Sequence, residues 1–181
     1  MSARIHAFDS PLPHLLYWDA SFLVHATYPA ARYHAECVAF LDLLSAADGT
    51  FSYISTLTLD ETIFAILQLK VAEDHSSDGF WEVYRRNPQV IRRYLGELRA
   101  LVDRLWIDPR IRIVGVEGEM IYIAFEHMES FAFLPRDALH VSTMVRHGIE
   151  AIVTTDQDFV SVDGLDLYTC NPRILAQPSA V

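Results

Sequence analysis

Hydrophobic residues follow two alternating patterns along this chain. Short continuous apolar runs are typical of strands that are buried on both faces of a sheet. Leu15–Trp18 has this pattern, and the other predicted strands are Phe51–Ser55, Ile111–Val116, Ile149–Thr154 and Leu165–Thr169. The segments between them repeat apolar residues at three- and four-residue steps, which indicates helices with one buried face. Alternation of strands and helices predicts an α/β domain with a mainly parallel sheet that is covered by helices on both faces.

The helical pattern divides the rest of the chain. Helices are predicted from Ser21, over Tyr33–Ala46, over Thr58–Ala72, over Phe80–Arg86, from Pro88 through Leu105, over Glu119–Met128 and over Pro135–His147. The polar stretch 74–79 is predicted to be a loop. We therefore expect an N-terminal arm over residues 1–14, a single domain over 15–170 and a C-terminal tail over 171–181.

Composition narrows the class of protein. The chain has 181 residues, of which 51% are hydrophobic and 21% are charged, so one domain with a full core is expected. No apolar run approaches the ~18 residues of a membrane span, and the first fourteen residues lack the apolar stretch of a secretory signal. We expect a cytoplasmic protein without a membrane partner. Cys37 and Cys170 have no metal-ligand spacing and are expected to be reduced thiols.

Charge is distributed unevenly along the sequence. The net charge is 14 − 24 = −10, which argues against a surface that is basic throughout. Eight of the fourteen basic residues are arginines within 85–112, an interval with three acids, so this interval carries +5 and the rest of the chain −15. Such a run is either a solvated helix face or a surface for nucleic acid. We call the arginine-rich stretch of about 74–110 the arginine-rich segment.

Four acidic residues fall where predicted strands and helices meet. Asp19 closes the first predicted strand, Glu61 lies in the first turn of the next long helix, Asp137 begins a later helix, and Asp156 follows the fourth strand. In parallel sheets, function gathers at the carboxyl ends of the strands. Carboxylates that are brought together there repel each other, and a bound cation would neutralise this repulsion. Carboxylate oxygens are suitable ligands for Mg²⁺ or Mn²⁺.

Each of these acids also has a purely structural interpretation. Thr58 and Glu61 have the spacing of a capping box, in which Glu61 satisfies backbone N–H groups. Asp137 follows a proline in a first helical turn and complements the helix dipole. Asp156 or the nearby Asp158 can cap a short helix. An ionisable Asp19 at the end of an apolar strand needs a partner, so it is the strongest single indication of a site.

Two sequence blocks resemble the PIN-domain family. LPRDALHV at 134–141, Gly148 and AIVTTDQDF at 151–159 are similar to the C-terminal signature of PIN domains. YWDASFL at 17–23, ISTLTLDE at 54–61 and GLDL at 164–167 resemble the first strand with its acid, the second strand with its helical glutamate, and the last strand. Order, spacing and residue type agree over about residues 15–170.

The resemblance implies a three-layer α/β/α sandwich with a mainly parallel five-stranded sheet and a Mg²⁺- or Mn²⁺-dependent ribonuclease. By position, Asp19, Glu61, Asp137 and Asp156 match the catalytic, metal-binding acids. Asp158 matches a further acidic position that is a candidate metal ligand, and Ser21 and Thr154 match hydroxyl positions that orient a carboxylate or water. Many members are VapC-type toxins that cleave RNA to 5′-phosphate and 3′-hydroxyl ends, form homodimers and are silenced by a small antitoxin protein.

Other functions stay open at this point. The arginine-rich segment and the N-terminal arm make this chain longer than a compact toxin, and a PIN-fold module that docks RNA or a partner protein with little nuclease activity is the main alternative. A metal-dependent phosphatase is disfavoured, since Ala20 and Ser21 follow Asp19 where that class has Asp-x-Asp. His140, one turn after Asp137, is expected to be packed or solvated, with a contact to a substrate phosphate as its alternative role.

Overall fold

The structure is a computed structural model and describes residues 2–75 and 78–177. Within them the strands are β1 (Arg4–Ala7), β2 (Leu15–Trp18), β3 (Phe51–Ser55), β4 (Ile111–Val114), β5 (Ala151–Val153) and β6 (Asp166–Thr169). The α-helices are α1 (Ala20–Thr27), α2 (His34–Ala46), α3 (Thr56–Asp74), α4 (Phe80–Arg86), α5 (Leu95–Ile107), α6 (Met120–Phe131), α7 (Pro135–Arg146) and α8 (Pro172–Leu175). Short 3-10 helices cover Pro88–Arg93 and Asp158–Ser161.

All strands pair in parallel in the order β1-β6-β5-β2-β3-β4. The five predicted strands are confirmed, with slightly shorter ends. The sheet has six strands rather than the expected five, because part of the N-terminal arm pairs with β6 as β1. Arg4 donates two hydrogen bonds to Asp166, at 2.8 and 2.7 Å, and His6 Nε2 lies 2.7 Å from the same carboxylate. These contacts span about 160 residues of sequence, so no local pattern indicates them.

Helices cover both faces of the sheet, which confirms the three-layer α/β/α architecture. Side chains of α1 to α5 form one core with Leu16 and Trp18 of β2, while α6, α7 and α8 form the other core with Tyr17. Side chains of successive residues of a strand point to opposite faces, so neighbouring residues of β2 pack against helices on opposite faces of the sheet. The side chain of Tyr17 therefore points toward α7.

The start of α3 differs from the prediction. The helix begins at Thr56, and its N-cap is Ser55, whose Oγ accepts a hydrogen bond from the Thr58 backbone N–H at 3.0 Å. Thr58 is thus inside the helix, and the capping-box interpretation of Thr58 and Glu61 is wrong. Glu61 lies in the second turn, where it has no capping role and its carboxylate is available for other contacts.

The region after α3 also departs from a single helix. The predicted helix from Pro88 is divided into the 3-10 helix and α5, and Tyr94 is buried at the junction with its hydroxyl 2.5 Å from Asp74 Oδ2. The predicted loop at 74–79 begins later, since α3 continues through Asp74; residues 76 and 77 lie outside the described residues. In the tail, Ile174 of α8 is buried in the second core, and residues 178–181 lie outside the described part. No helix in the described ranges has the length and apolarity needed to cross a membrane.

Candidate active site

The parallel sheet gathers the predicted acids at the carboxyl ends of its strands. Asp19 directly follows β2, and Asp156 lies three residues after β5. Glu61 is carried by α3, the helix that leaves the end of β3, and Asp137 lies in the first turn of α7. Residues that are distant in sequence therefore meet at one edge, which we call the acidic edge.

Asp19 is buried and held by three hydrogen bonds to a single oxygen. Its Oδ2 accepts from the Ser21 backbone N–H at 3.2 Å, from Ser21 Oγ at 2.6 Å and from Thr154 Oγ1 at 2.8 Å. Because Asp19 is also the N-cap of α1, part of its role is structural. The three donors fix the orientation of the carboxylate, and its other oxygen, Oδ1, lies 3.8 Å from His140 Nε2.

Glu61 is held from two sides. Its Oε2 lies 2.8 Å from Nε2 of His140, which is 1% exposed, and its Oε1 lies 3.4 Å from the guanidinium of the exposed Arg136. Burial disfavours a charged imidazole, but the hydrogen bond to Glu61 and the charge of Asp19 raise the pKa of His140 above its ordinary value. The packed interpretation of His140 is correct, and its ring contacts the proposed site directly.

Asp137 shows the effect of crowded negative charge. Burial, followed by the charges of Asp156 and Asp158, raises the pKa of the Asp137 carboxyl to about 6. The charge of Asp19 acts in the same direction. A raised pKa means that the folded protein resists the ionised form of this group, as expected for carboxylates that share one region.

Asp156 and Asp158 differ in their surroundings. Asp156 is partly buried. Burial and the charges of Asp158 and Asp19 raise the pKa of its carboxyl, although hydrogen bonds from backbone N–H groups act in the opposite direction. Its Oδ1 accepts from the Asp158 N–H at 3.1 Å, and its own N–H donates to Thr154 Oγ1 at 2.9 Å. Asp158 is exposed at the start of a 3-10 helix. Asp156 is therefore the better placed of the two for a role at the acidic edge.

The donor set at this edge suits a divalent cation. Ligand atoms from Asp19, Glu61 and His140 all lie within 4.8 Å of one another. His140 Nε2 already lies within hydrogen-bond distance of Glu61, so the carboxylate oxygens, which Mg²⁺ and Mn²⁺ prefer, are the available donors. Asp137 and Asp156 bring further carboxylates to the same edge but are not members of this tight group. The ligand role of each acid stays a prediction.

An open cavity of about 500 Å³ lies beside the acids. Its lining includes the carboxylates of Asp137 and Asp158 and the apolar side chains of Phe131, Phe133 and Leu134. The cavity therefore opens the acidic edge to solvent at Asp137, whereas Asp19 and Glu61 do not line it.

Comparison with known proteins identifies the family. The model of the PIN domain family matches residues 16–165. This chain belongs to the PIN domain family. A curated relative, ribonuclease VapC6 of Methanocaldococcus jannaschii, is 22% identical over 120 residues, which are 66% of this chain and 77% of the relative.

Two solved structures share the fold. VapC20 of Mycobacterium tuberculosis, described as a toxin that cleaves the sarcin-ricin loop, matches with a TM-score of 0.53 and 16% identity over 80% of this chain and 92% of that chain. VapBC2 of Rickettsia felis, solved with a DNA fragment from its promoter, matches with a TM-score of 0.51 and 17% identity over 86% of this chain and 98% of that chain. The family resemblance inferred from the sequence is confirmed.

Sequence reasoning missed a group of buried polar residues behind the acids of this PIN domain. The hydroxyl of Tyr17 lies 2.7 Å from Ser55 Oγ, 3.1 Å from Thr58 Oγ1 and 2.8 Å from His140 Nδ1. The available signals were a tyrosine inside an apolar strand and a histidine three residues after Asp137, on the same helix face. Ser21 and Thr154, by contrast, contact Asp19 as the resemblance implies.

Proposed function

We propose that this PIN-domain protein is an endoribonuclease that hydrolyses RNA phosphodiester bonds with the aid of Mg²⁺ or Mn²⁺. The observation that carries the proposal is the acidic edge, where oxygens of Asp19 and Glu61 lie close together and the pKa of Asp137 is raised to about 6 by burial and its acidic neighbours. Membership of the PIN family and the similarity to ribonuclease VapC6 support it.

The residues at the acidic edge have different proposed roles. Asp19, Glu61, Asp137 and Asp156 are the proposed catalytic, cation-binding residues, and the exposed Asp158 is an outer carboxylate. Ser21 and Thr154 hold the Asp19 carboxylate in one orientation. When bound, a divalent cation supplies charge neutralisation of the scissile phosphate and an activated water. Arg136, 3.4 Å from Glu61 and exposed, is a cation at the mouth of the site that can attract an RNA phosphate.

We further propose that the protein is the toxin of a toxin–antitoxin pair and binds a small antitoxin protein. Support comes from the curated relative VapC6 and from the shared fold with VapC20 and the toxin–antitoxin protein VapBC2. An antitoxin that silences the nuclease would restore growth to cells that the active toxin arrests.

A direct cleavage assay tests the nuclease. Single-stranded RNA is incubated with the purified protein in Mn²⁺, in Mg²⁺ and in EDTA, and the product ends are identified. We expect internal cuts with either cation, 5′-phosphate and 3′-hydroxyl ends, and no cleavage in EDTA. The Asp137→Asn variant, tested beside the wild type, excludes a contaminating nuclease if it leaves RNA intact.

The same assay separates the nuclease from a PIN-fold binding module. RNA that is bound in a gel-shift experiment but never cut, whatever the cation, would favour the binding module. For the toxin assignment, expression of the wild type is expected to arrest growth, and expression of Asp137→Asn is not. Equal growth of both strains would count against a toxin.

We also propose a homodimer. The outer surface of α6 exposes large apolar side chains: Ile121, Tyr122 and Phe125 are 39%, 74% and 55% exposed. Burial of such a surface against a second copy removes it from water. Light scattering at micromolar concentration is expected to give twice the 20.6 kDa mass of one chain; the mass of a single chain would contradict the proposal.

A further inference from the structure

A chain of buried polar side chains links the centre of the sheet to Glu61. Tyr17 lies in the middle of β2 and has no exposed surface, yet its hydroxyl contacts Ser55, Thr58 and His140. The opposite nitrogen of the His140 ring, Nε2, lies 2.8 Å from Glu61 Oε2. We call Tyr17 and His140 the tyrosine–histidine pair.

Packing alone does not account for this pair. A buried hydroxyl and a buried imidazole are costly unless both are hydrogen-bonded, and apolar residues of similar size would fill the same space without that requirement. The polar groups are anchored to the backbone, since Thr58 Oγ1 donates to the Trp18 carbonyl at 3.1 Å and Ser55 Oγ caps α3. The hydrogen bonds therefore fix the orientation of side chains, in addition to the space that these side chains fill in the core.

These hydrogen bonds orient the carboxylate of Glu61. Both ring nitrogens of His140 have partners, so the imidazole has one orientation, with Nε2 toward Glu61. Asp19 is short and is held by its own neighbours Ser21 and Thr154. Glu61 has a longer and more flexible side chain, and on its buried side His140 is its partner. Without that partner the carboxylate would sample several rotamers.

We propose that Tyr17 and His140 are positioning residues that hold the Glu61 carboxylate beside Asp19 in the geometry that binds the divalent cation. This inference rests on the proposed function. In this arrangement Nε2 carries a hydrogen that it donates to Glu61, so His140 acts through Glu61 and is not itself a metal ligand. Hydrogen-bond partners of metal-binding carboxylates commonly contribute in this way.

The test uses Tyr17→Phe, which removes one oxygen, with Tyr53→Phe as the matched control. Tyr53 is the register partner of Tyr17 on β3, packs in the same core and lies against His147. Mn²⁺ binding to the protein without RNA is measured by titration calorimetry, and kcat and KM for RNA are measured separately. For Tyr17→Phe we expect Mn²⁺ affinity to fall by about 10-fold, with a lower kcat and an unchanged KM. Tyr53→Phe is expected to match the wild type in all three measurements.

A second pair of variants keeps the test decisive if Tyr17→Phe fails to fold. His140→Gln places an amide donor near the position of Nε2, whereas His140→Asn places one near Nδ1 and removes the partner of Glu61 on its buried side, so that only the exposed Arg136 remains beside the carboxylate. We expect His140→Gln to retain more Mn²⁺ affinity than His140→Asn. Equal loss in both variants would overturn the positioning role.

The outcomes also distinguish this inference from the function on which it rests. If wild type binds Mn²⁺ and cuts RNA while Tyr17→Phe binds Mn²⁺ equally well, the inference is wrong and the nuclease stands. If wild type binds no Mn²⁺ and cuts no RNA, the proposed function fails and the inference with it. A nitrogen coupling in the electron spin-echo spectrum of bound Mn²⁺ would identify His140 as a direct ligand and overturn the positioning role.

Discussion

The acidic edge and the arginine-rich segment carry opposite charges and are built in opposite ways. The acids come from separate parts of the sequence and are wholly or partly buried. Ligand atoms of Asp19 and Glu61 lie within 4.8 Å of each other, and Asp19 and Asp156 share Thr154 as a hydrogen-bond partner. The arginines are close together in sequence and lie mostly on exposed helix surfaces, where Arg92, Arg93 and Arg99 are all exposed.

Several of these arginines are paired with acids of the same region. Arg93 lies 2.9 Å from Asp74, and Arg86 contacts both Asp78 and Glu82. Asp74 is the last residue of α3, thirteen residues after Glu61, so at about 1.5 Å per residue the two ends of that stretch lie about 20 Å apart. The arginines, which are close together in sequence, are therefore not gathered at the site. The acids, which are scattered in sequence, are gathered there.

The largest expected effect is on cleavage by Asp19→Asn. The amide keeps the volume of the carboxylate but removes its charge, so a cation at the acidic edge loses a central ligand. We expect RNA cleavage to fall by at least about 100-fold, corresponding to about 3 kcal/mol of transition-state stabilisation, with thermal stability kept or increased. The control is Asp163→Asn, which changes an exposed acid in the turn before β6. Equal cleavage by Asp19→Asn and wild type would remove Asp19 from the mechanism.

An intermediate effect is expected on stability, measured with Asp137→Asn. Because the folded-state pKa of Asp137 is raised to about 6, the folded protein binds this proton more tightly than the unfolded chain does. Ionisation therefore costs stability as pH rises from about 4 through 6. After allowance for screening at this partly exposed site, the asparagine variant should gain about 1 kcal/mol at pH 7 relative to wild type and less at pH 4.

Thermal melting in Mn²⁺ sharpens this prediction. Saturation at about 100 times Kd should stabilise wild type by about 2.7 kcal/mol, and the shift should be smaller in Asp137→Asn. The advantage of the variant without metal should therefore shrink or reverse when Mn²⁺ is added. Identical melting curves for both proteins at every pH and Mn²⁺ concentration would disprove charge crowding at Asp137.

The smallest effect is expected from the arginine-rich segment. We expect Arg136→Gln, at the mouth of the acidic edge, to weaken RNA binding and to reduce the salt slope by about 0.7, as for one phosphate contact on single strands. Replacement of Arg92, Arg93 and Arg99 together by Gln should change the slope by less than that. Affinities are measured across a salt series in an Asp19→Asn background so that the RNA stays intact. A larger effect of the triple variant would place RNA along the 3-10 helix and α5, within the arginine-rich segment, and reverse the comparison.

Much of the fold could be predicted because its strands have strong local patterns. Segments such as Leu15–Trp18 and Ala151–Val153 are apolar throughout, as a strand covered on both faces requires. β1 could not be predicted in this way, since the four residues of Arg4–Ala7 include two polar ones and the strand is held at the sheet edge by Asp166. The start of α3 was predicted two residues late because Ser55 ends a strand and caps a helix at the same time.

The sequence by itself determined the order of the elements from β2 to β6, the parallel sheet and the identity of the acids at its carboxyl edge. Those properties depend on apolar periodicity and on residue type at strand ends, which are local. Only the tertiary structure decided that His140 faces Glu61, that Tyr17 reaches His140 and that Ser21 and Thr154 share one oxygen of Asp19. These contacts join residues 79, 123, 2 and 135 positions apart. The long-range ones depend on how helices pack against the sheet, because a side chain's partner is set by the layer it enters and not by its neighbours in the chain.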